Sequence, residues 1–380
     1  MKRIRIMLAF ITLIALIGCQ NNQQSGKEKY QIGTIIVLTG SAAQYGQWMK
    51  NGLELAKDEI NSKGGINGHQ IELVYEDDKT EAQSAVSAMN KLDATLNSPV
   101  VIAALTSKST LAIAPIAESK KKVLFAVCAS SPDLTNSGDY IFRNWPSDNE
   151  EGRLMAEYAY NTLGYRNIVE LTINNDYGLG LKKVFAQKFV ELGGAIVSSE
   201  EFPENATDFR SVLARLKSQK FDAIYMPSHA KEVATFLKQM KENNLDYKVL
   251  GNVAYESPDL LNIAGNAAEG VIFTTPAFNP DSKDTTIQTF TTAYEKRFGS
   301  KPENFAAHAY DALKIIALAI EKGGYTSDGI KSELYKISNY PGVSGMTTFD
   351  KNGDVQKPAI IKQVKNGQFV SLEASNVVGK

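Results

Sequence analysis

From Gln31 onward, short apolar runs rich in Val and Ile alternate with longer stretches whose apolar positions recur at helical spacing. That alternation predicts a parallel sheet covered on both faces by helices. Strands are expected over 31–38, 70–75, 100–105 and 123–127. Between them, 47–61 reads as a helix ended by Gly64-Gly65, and Thr80 to Gln83 reads as a capping box for a helix reaching Leu96. The rhythm then restarts. Strands are expected over 167–173, 195–200, 222–226, 248–250 and 270–274, separated by helices over 179–192, 209–217 and 231–243.

Two doubly wound sheets in succession predict an α/β protein of two Rossmann-like lobes. Asn144-Trp145-Pro146-Ser147 breaks the pattern between the halves, and Thr275-Pro276 to Asp281 breaks it again. The helices that follow, 285–298 and 304–322, have no new run of strands to cover and are expected to return to the first sheet. The tail reads as a hairpin of strands near 347–349 and 360–364 around Asn352-Gly353. The expected division is lobe 1 over 30–146 plus 276–346 and lobe 2 over 147–275 plus 347–374. Three chain crossings make a hinge.

The amino terminus is different. Lys2, Arg3 and Arg5 precede an apolar run from Ile6 to Ile17 that is too short to span a bilayer, so residues 1–18 read as a secretory signal. Leu16-Ile17-Gly18-Cys19 resembles the bacterial lipobox, which implies acylation of Cys19; the polar, patternless residues 19–29 suit a tether. The expected location is therefore extracytoplasmic, at a membrane through the lipid. Removing the signal takes three of the 41 Lys and Arg and none of the 42 Asp and Glu, leaving a net charge near −4. No basic patch calls for nucleic acid. Only Cys128 remains after Cys19, so packing alone must hold the body together.

Motifs for chemistry fail in turn. Gly178-Leu179-Gly180 begins a dinucleotide fingerprint, but Lys183 stands where its third glycine belongs. Gly342-Val343-Ser344-Gly345-Met346 misses a nucleophile elbow by its last residue. His69, His229 and His308 are too scattered for a zinc site. Asp350 to Asp354 imitates a calcium loop, but its glycine comes early and Ile361 replaces the closing Glu, so it reads as a turn. No cofactor, no metal and no enzymatic activity are expected.

Other segments form one ordered set: Thr39 to Gly46, Ile60 to Gly68, Tyr75-Glu76-Asp77-Asp78, Thr106 to Thr110, Ser131 to Thr135, Asn175-Asp176-Tyr177-Gly178 and Ser257 to Leu260. In this order they resemble the type I periplasmic binding proteins that feed branched-chain amino acid importers, over nearly the whole mature chain. Read directly, Thr106 to Thr110 follows a strand and opens a helix, so free N–H groups, the positive helix end and a Ser hydroxyl converge on a point suited to a carboxylate. The resemblance implies that Ser107 binds the ligand's carboxylate; the alternative is that Ser107 is only an N-cap of the helix, and the two roles are compatible. It implies that Ser130 touches carboxylate and ammonium, that Cys128 offers its backbone carbonyl, and that Tyr45, Tyr177 and Phe305 line the cleft. His229 stands where relatives often carry an aromatic residue.

One departure bears on the ligand. Amino-acid binders of this family place an Asp or Glu just after the strand 248–250, and here Val253 holds that place. Either Glu256 or another acid substitutes, or the ligand has no ammonium, because an unpaired ammonium in a dry cleft costs several kcal/mol. Lys108, beside Ser107, would favour an anion or be a solvated side chain. The expected function is that of a lipid-anchored solute-binding protein, closing over an amino acid or other small carboxylate and presenting itself to an ABC permease; a sensor of the same fold is the alternative.

Overall fold

The computed structural model describes residues 28–40 and 42–372. The expected signal, Cys19 and most of the tether lie outside the described residues, as do Ser41 and residues 373–374. Along the chain run β1 (Tyr30–Ile36), α1 (Ala43–Ser62), β2 (Ile71–Asp77), α2 (Ala82–Thr95), β3 (Val100–Ala103), α3 (Ser107–Ser119), β4 (Val123–Ala126) and β5 (Ile141–Arg143). These five strands form one parallel sheet in the order β2-β1-β3-β4-β5. Strand alternation sends Ile32 and Ile36 to one face and Ile35, with Ala103 and Leu124, to the other, where α2 and α3 cover them.

Next come α4 (Asp148–Glu157), β6 (Asn167–Ile173), α5 (Asp176–Glu191), β7 (Ala195–Phe202), α6 (Arg210–Leu216), β8 (Ala223–Tyr225), α7 (Ala230–Glu242), β9 (Val249–Gly251), α8 (Pro258–Ala264) and β10 (Ile272–Pro276). The chain then returns through α9 (Thr285–Phe298), α10 (Asn304–Gly323), α11 (Ser327–Leu334), β11 (Tyr340–Gly342) and β12 (Gly345–Thr347), and ends in β13 (Ala359–Lys365) and β14 (Gln368–Ser371). The second sheet has the order β14-β13-β10-β9-β8-β6-β7, with β13 antiparallel to β10. Two lobes, each a doubly wound sheet, are the observed architecture.

The returning helices cover the first sheet, as expected. Leu313, Ile315, Ile316 and Ile320 of α10 are fully buried in the first lobe's core, each contributing about 1.5–3 kcal/mol relative to exposure. Helix α10 lies backbone to backbone on α1: a Cβ at Gly52 would stand 2.2 Å from the Ala306 carbonyl oxygen. Only glycine permits that approach.

Three local expectations are corrected, and one helix goes unanticipated. Thr80 does not cap α2; it has a positive φ of 67°, and Glu81 takes the cap position without a side-chain bond. Asp78 is the cause, because its carboxylate accepts the Thr80 N–H at 3.1 Å and its carbonyl accepts that of Glu81 at 2.7 Å, which delays the helix. The tail is two hairpins rather than one: β11 pairs β12, and β13 pairs β14 across Asn366-Gly367. Asn352-Gly353 turns only the small Phe349–Val355 bridge. Phe349 and Val355 also pack in the first lobe's core, so the third crossing falls after them rather than at 347. Finally, the segment after Ser147 is a helix, α4, whose stripe of buried positions carries two acids.

The crossings are tied together. Arg143, at the first, forks onto Asp354 before the third (Nε–Oδ1 2.9 Å, Nη2–Oδ2 2.7 Å) and donates to the Ser130 and Ser131 carbonyls. Lys357 Nζ donates to Asn144 Oδ1 at 2.9 Å and Ser344 Oγ at 2.7 Å. Asp350 accepts the N–H groups of Asn352 and Asp354, the turn expected of that segment.

Candidate ligand-binding site

Parallel strands deliver the chain to the carboxyl edge of a sheet, and the loops beyond them face the crevice there. The loops after β3 and β4 in the first lobe and after β6, β8 and β9 in the second meet α1 and α10 around one pocket of about 530 Å³, its mouth included. All nine residues singled out in the sequence line it: Tyr45, Ser107, Lys108, Cys128, Ser130, Tyr177, His229, Val253 and Phe305. Leu105, Thr106, Trp145, Asn175 and Ala254 complete the wall. Trp145 was legible only as a helix breaker. Asn175 caps α5 after β6 as Thr106 caps α3 after β3, a symmetry that would have found it.

At the first lobe's edge, Thr106, not Ser107, is the N-cap of α3: its hydroxyl accepts the Ser109 N–H at 3.3 Å. Ser107 is the first helical residue, which corrects its alternative reading as a cap. The cap leaves the N–H groups of Ser107 and Lys108 without helical acceptors, and both residues line the pocket. Ser107 Oγ accepts the N–H groups of Ser130 and Ser131, at 3.3 and 3.1 Å, which fastens the loop after β4 to α3. With its lone pairs so used, the Ser107 hydroxyl proton is available to an acceptor in the pocket.

The body of the pocket is apolar and aromatic. Tyr45, Trp145 and Phe305 form one cluster, with Tyr45 and Trp145 at 4.9 and 5.2 Å from the Phe305 ring. Opposite, Tyr177 stacks on His229 with centroids 6.0 Å apart and planes 9° from parallel. Asn252 donates to the Tyr177 hydroxyl. Cys128 is buried, and that burial pushes its thiol well above the ordinary range, so it serves as wall rather than nucleophile.

Two contacts join the lobes across this space. The Tyr45 hydroxyl donates to the Ala254 carbonyl at 2.9 Å. Lys108 Nζ donates to Glu204 Oε2 at 2.7 Å and lies 3.6 Å from Glu81. Lys108 is thus neither a free anion receptor nor a solvated side chain. Asn175 Nδ2 donates to the other Glu204 oxygen at 2.7 Å. Burial works to raise the Glu204 carboxyl, but these two donors outweigh it and hold it below its usual range.

Acids near the pocket are placed behind its wall. Glu256, a possible substitute for the acid missing at Val253, is paired with Lys362 and accepts from the Thr275 hydroxyl at 2.8 Å. Asp148 and Glu151 are buried under the second lobe's edge. Both oxygens of Asp148 and Oε1 of Glu151 have no hydrogen-bond partner among the described residues. Burial pushes the Asp148 carboxyl up to about 7. Burial, with the charge of Asp148, lifts Glu151 well above its ordinary range. Among the described residues no group of three or more His, Cys, Asp or Glu is placed to hold a metal.

A fold of two doubly wound lobes, hinged by three crossings and meeting over an apolar pocket with polar groups at one edge, defines a protein that encloses a small solute. The sequence agrees: the periplasmic binding protein family model matches residues 29–368. The chain belongs to that family and is an extracytoplasmic solute-binding protein, not an enzyme. It is 28% identical over 323 residues, 84% of this chain and 85% of the relative, to the leucine-, isoleucine-, valine-, threonine- and alanine-binding protein of Pseudomonas aeruginosa. Its fold matches the branched-chain amino acid transporter substrate-binding protein LivJ of Streptococcus pneumoniae, crystallised with isoleucine, at a TM-score of 0.84 and 30% identity, covering 90% of this chain and 99% of that one. A leucine-binding protein, LivK, of Thermotoga maritima matches at 0.85 and 29%, covering 90% and 97%.

Proposed function

We propose that this protein is the lipid-anchored substrate-binding component of an ABC importer, and that its lobes close over one small carboxylate-bearing molecule, an amino acid or another small acid. The observation that carries this reading is the convergence, on one pocket between the lobes, of an anion-suited edge from the first and an aromatic wall from both. In the proposed complex, Ser107 and Ser130 hold the carboxylate, with the first N–H groups of α3 behind them. Tyr45, Tyr177, His229, Val253 and Phe305 cover the ligand's body, Cys128 closes the floor, and Lys108 borders the mouth. The relatives' names support an importer's substrate. Binding energy drives the hinge closure that a permease recognises, and no covalent step is required.

The lipid on Cys19 would keep the mobile receptor beside its permease, raising effective concentration without any contact of its own. A thermal-shift screen of the purified protein against amino acids and simple carboxylic acids tests the ligand class. A ligand at a hundred times its Kd adds about 2.7 kcal/mol of stability. Failure of every acid and amino acid to stabilise the protein would overturn the carboxylate site. Cys19→Ala should release the protein from the membrane fraction, and retention there would overturn the anchor.

A further inference from the structure

The pocket is built for one sign of charge. Its wall contains no Asp or Glu, and its single formal cation, Lys108, is already met by Glu204. At the edge formed by α3 it offers the unaccepted N–H groups of Ser107 and Lys108, the positive helix end and the Ser107 hydroxyl proton. A carboxylate is therefore served. The question is whether any group serves a cation.

None of the acids near the wall lines the pocket, and two of them are paired with cations. Glu204 holds Lys108 and Asn175; Glu256 holds Lys362, Thr275 and Asn304. Glu232 lies in the first turn of α7, where the helix end favours its charge and Oε1 accepts the Asn205 N–H at 3.0 Å; its Oε2 is buried without a hydrogen-bond partner among the described residues, but the residue does not line the pocket. Asp148 and Glu151 lie behind Tyr177 and Val253, outside the lining. Three of their carboxyl oxygens have no hydrogen-bond partner among the described residues, and burial raises both carboxyls above their ordinary range, which disfavours the charged forms. Removing an ammonium from water into a closed pocket without a counter-charge costs several kcal/mol, more than a few apolar contacts return.

Building on the carboxylate reading above, we infer that the cleft selects a monocarboxylic acid with an aliphatic or aromatic body and no ammonium group, in preference to the matching α-amino acid. The acid-facing edge binds the carboxylate, and the Tyr177–His229 stack, with Tyr45, Trp145 and Phe305, takes the body. On the second lobe's side the wall presents Val253 and Ala254, which accommodate hydrogen or a methyl group and offer an ammonium no counter-charge.

The test compares pairs that differ only in the amine. The protein is unfolded, washed free of carried ligand and refolded, and titrated calorimetrically at pH 6 with L-leucine against 4-methylpentanoate, with L-phenylalanine against 3-phenylpropanoate, and with 3-methylbutylamine. The expected result is that one deaminated acid binds at least about tenfold tighter than its amino acid, and that the amine gives no heat. Tighter binding of either amino acid than of its deaminated partner overturns this inference while leaving the carboxylate reading intact. In that case Glu151→Gln and Glu232→Gln identify which acid pairs with the ammonium. Binding of the amine in the absence of any acid overturns both.

Discussion

Lys108 Nζ and Glu204 Oε2 stand 2.7 Å apart across the mouth of the cleft, one from each lobe. Their side chains are 21% and 22% exposed, so the pair that bridges the lobes is partly shielded from solvent. Opening of the proposed hinge would separate the two residues, so the pair should favour the closed arrangement.

Glu204→Gln keeps the Asn175 bond in part but removes the charge. The closed population should fall, weakening ligand affinity about two- to tenfold, within the range of partly exposed pairs. Calorimetry measures the affinity, and small-angle scattering of the ligand-free protein should show a larger radius of gyration. Unchanged values in both would show that the pair has no influence on closure.

Ser107→Ala removes the acceptor of two backbone N–H groups and the proton offered to the pocket. Affinity for every carboxylate should fall by about tenfold or more, since a bond to a charged group contributes about 1.5–3 kcal/mol. Ser107→Thr should retain most of it. Equal affinities for wild type and Ala variant, measured by calorimetry, would remove Ser107 from the site.

The two tryptophans of the chain, Trp48 and Trp145, both belong to the aromatic cluster around Phe305, and only Trp145 lines the pocket. Ligand binding should change the intrinsic fluorescence, and the change should survive Trp48→Phe. Its loss in that variant, with binding intact by calorimetry, would place the responding ring outside the pocket.

Asp148 makes stability depend on pH in a defined direction. Its folded carboxyl is raised by burial from 3.8 to about 7. The folded state therefore keeps a proton that the unfolded state releases. The stability this group allows is fully present below about 4 and is lost as pH rises toward and through about 7. Glu151 acts in the same sense. Asp148→Asn should be more stable than wild type at pH 8, with the advantage shrinking toward pH 4, as read by melting temperature. A pH-independent difference would mean that the carboxyl is not buried as described.

Much of this molecule was legible because its signals are local. The apolar runs that became β1, β6 and β10 are read within a few residues, and α9 matches its expected span of 285–298. Of the site, the Thr106 to Thr110 loop was legible from its place between a strand and a helix, while Cys128, Tyr177 and Val253 were reached through the family resemblance and stand at strand ends that face the same crevice. Helix α4 was missed, although its buried positions 148, 151, 152, 155 and 156 have helical spacing. Two of those positions are acids and one is Gly, so the stripe does not look apolar.

By itself the sequence determined the two-lobed α/β fold and the return of α10 to the first sheet, since periodicity and strand order suffice for these; the residues of the cleft came from the resemblance to the periplasmic binding proteins. Tertiary structure alone decided which charges are free. Lys108 meets Glu204 at a sequence separation of 96, Glu256 meets Lys362 at 106, and Arg143 meets Asp354 at 211. Pairing and burial set whether an acid or amine carries usable charge, and both depend on neighbours that only folding brings within a few ångströms.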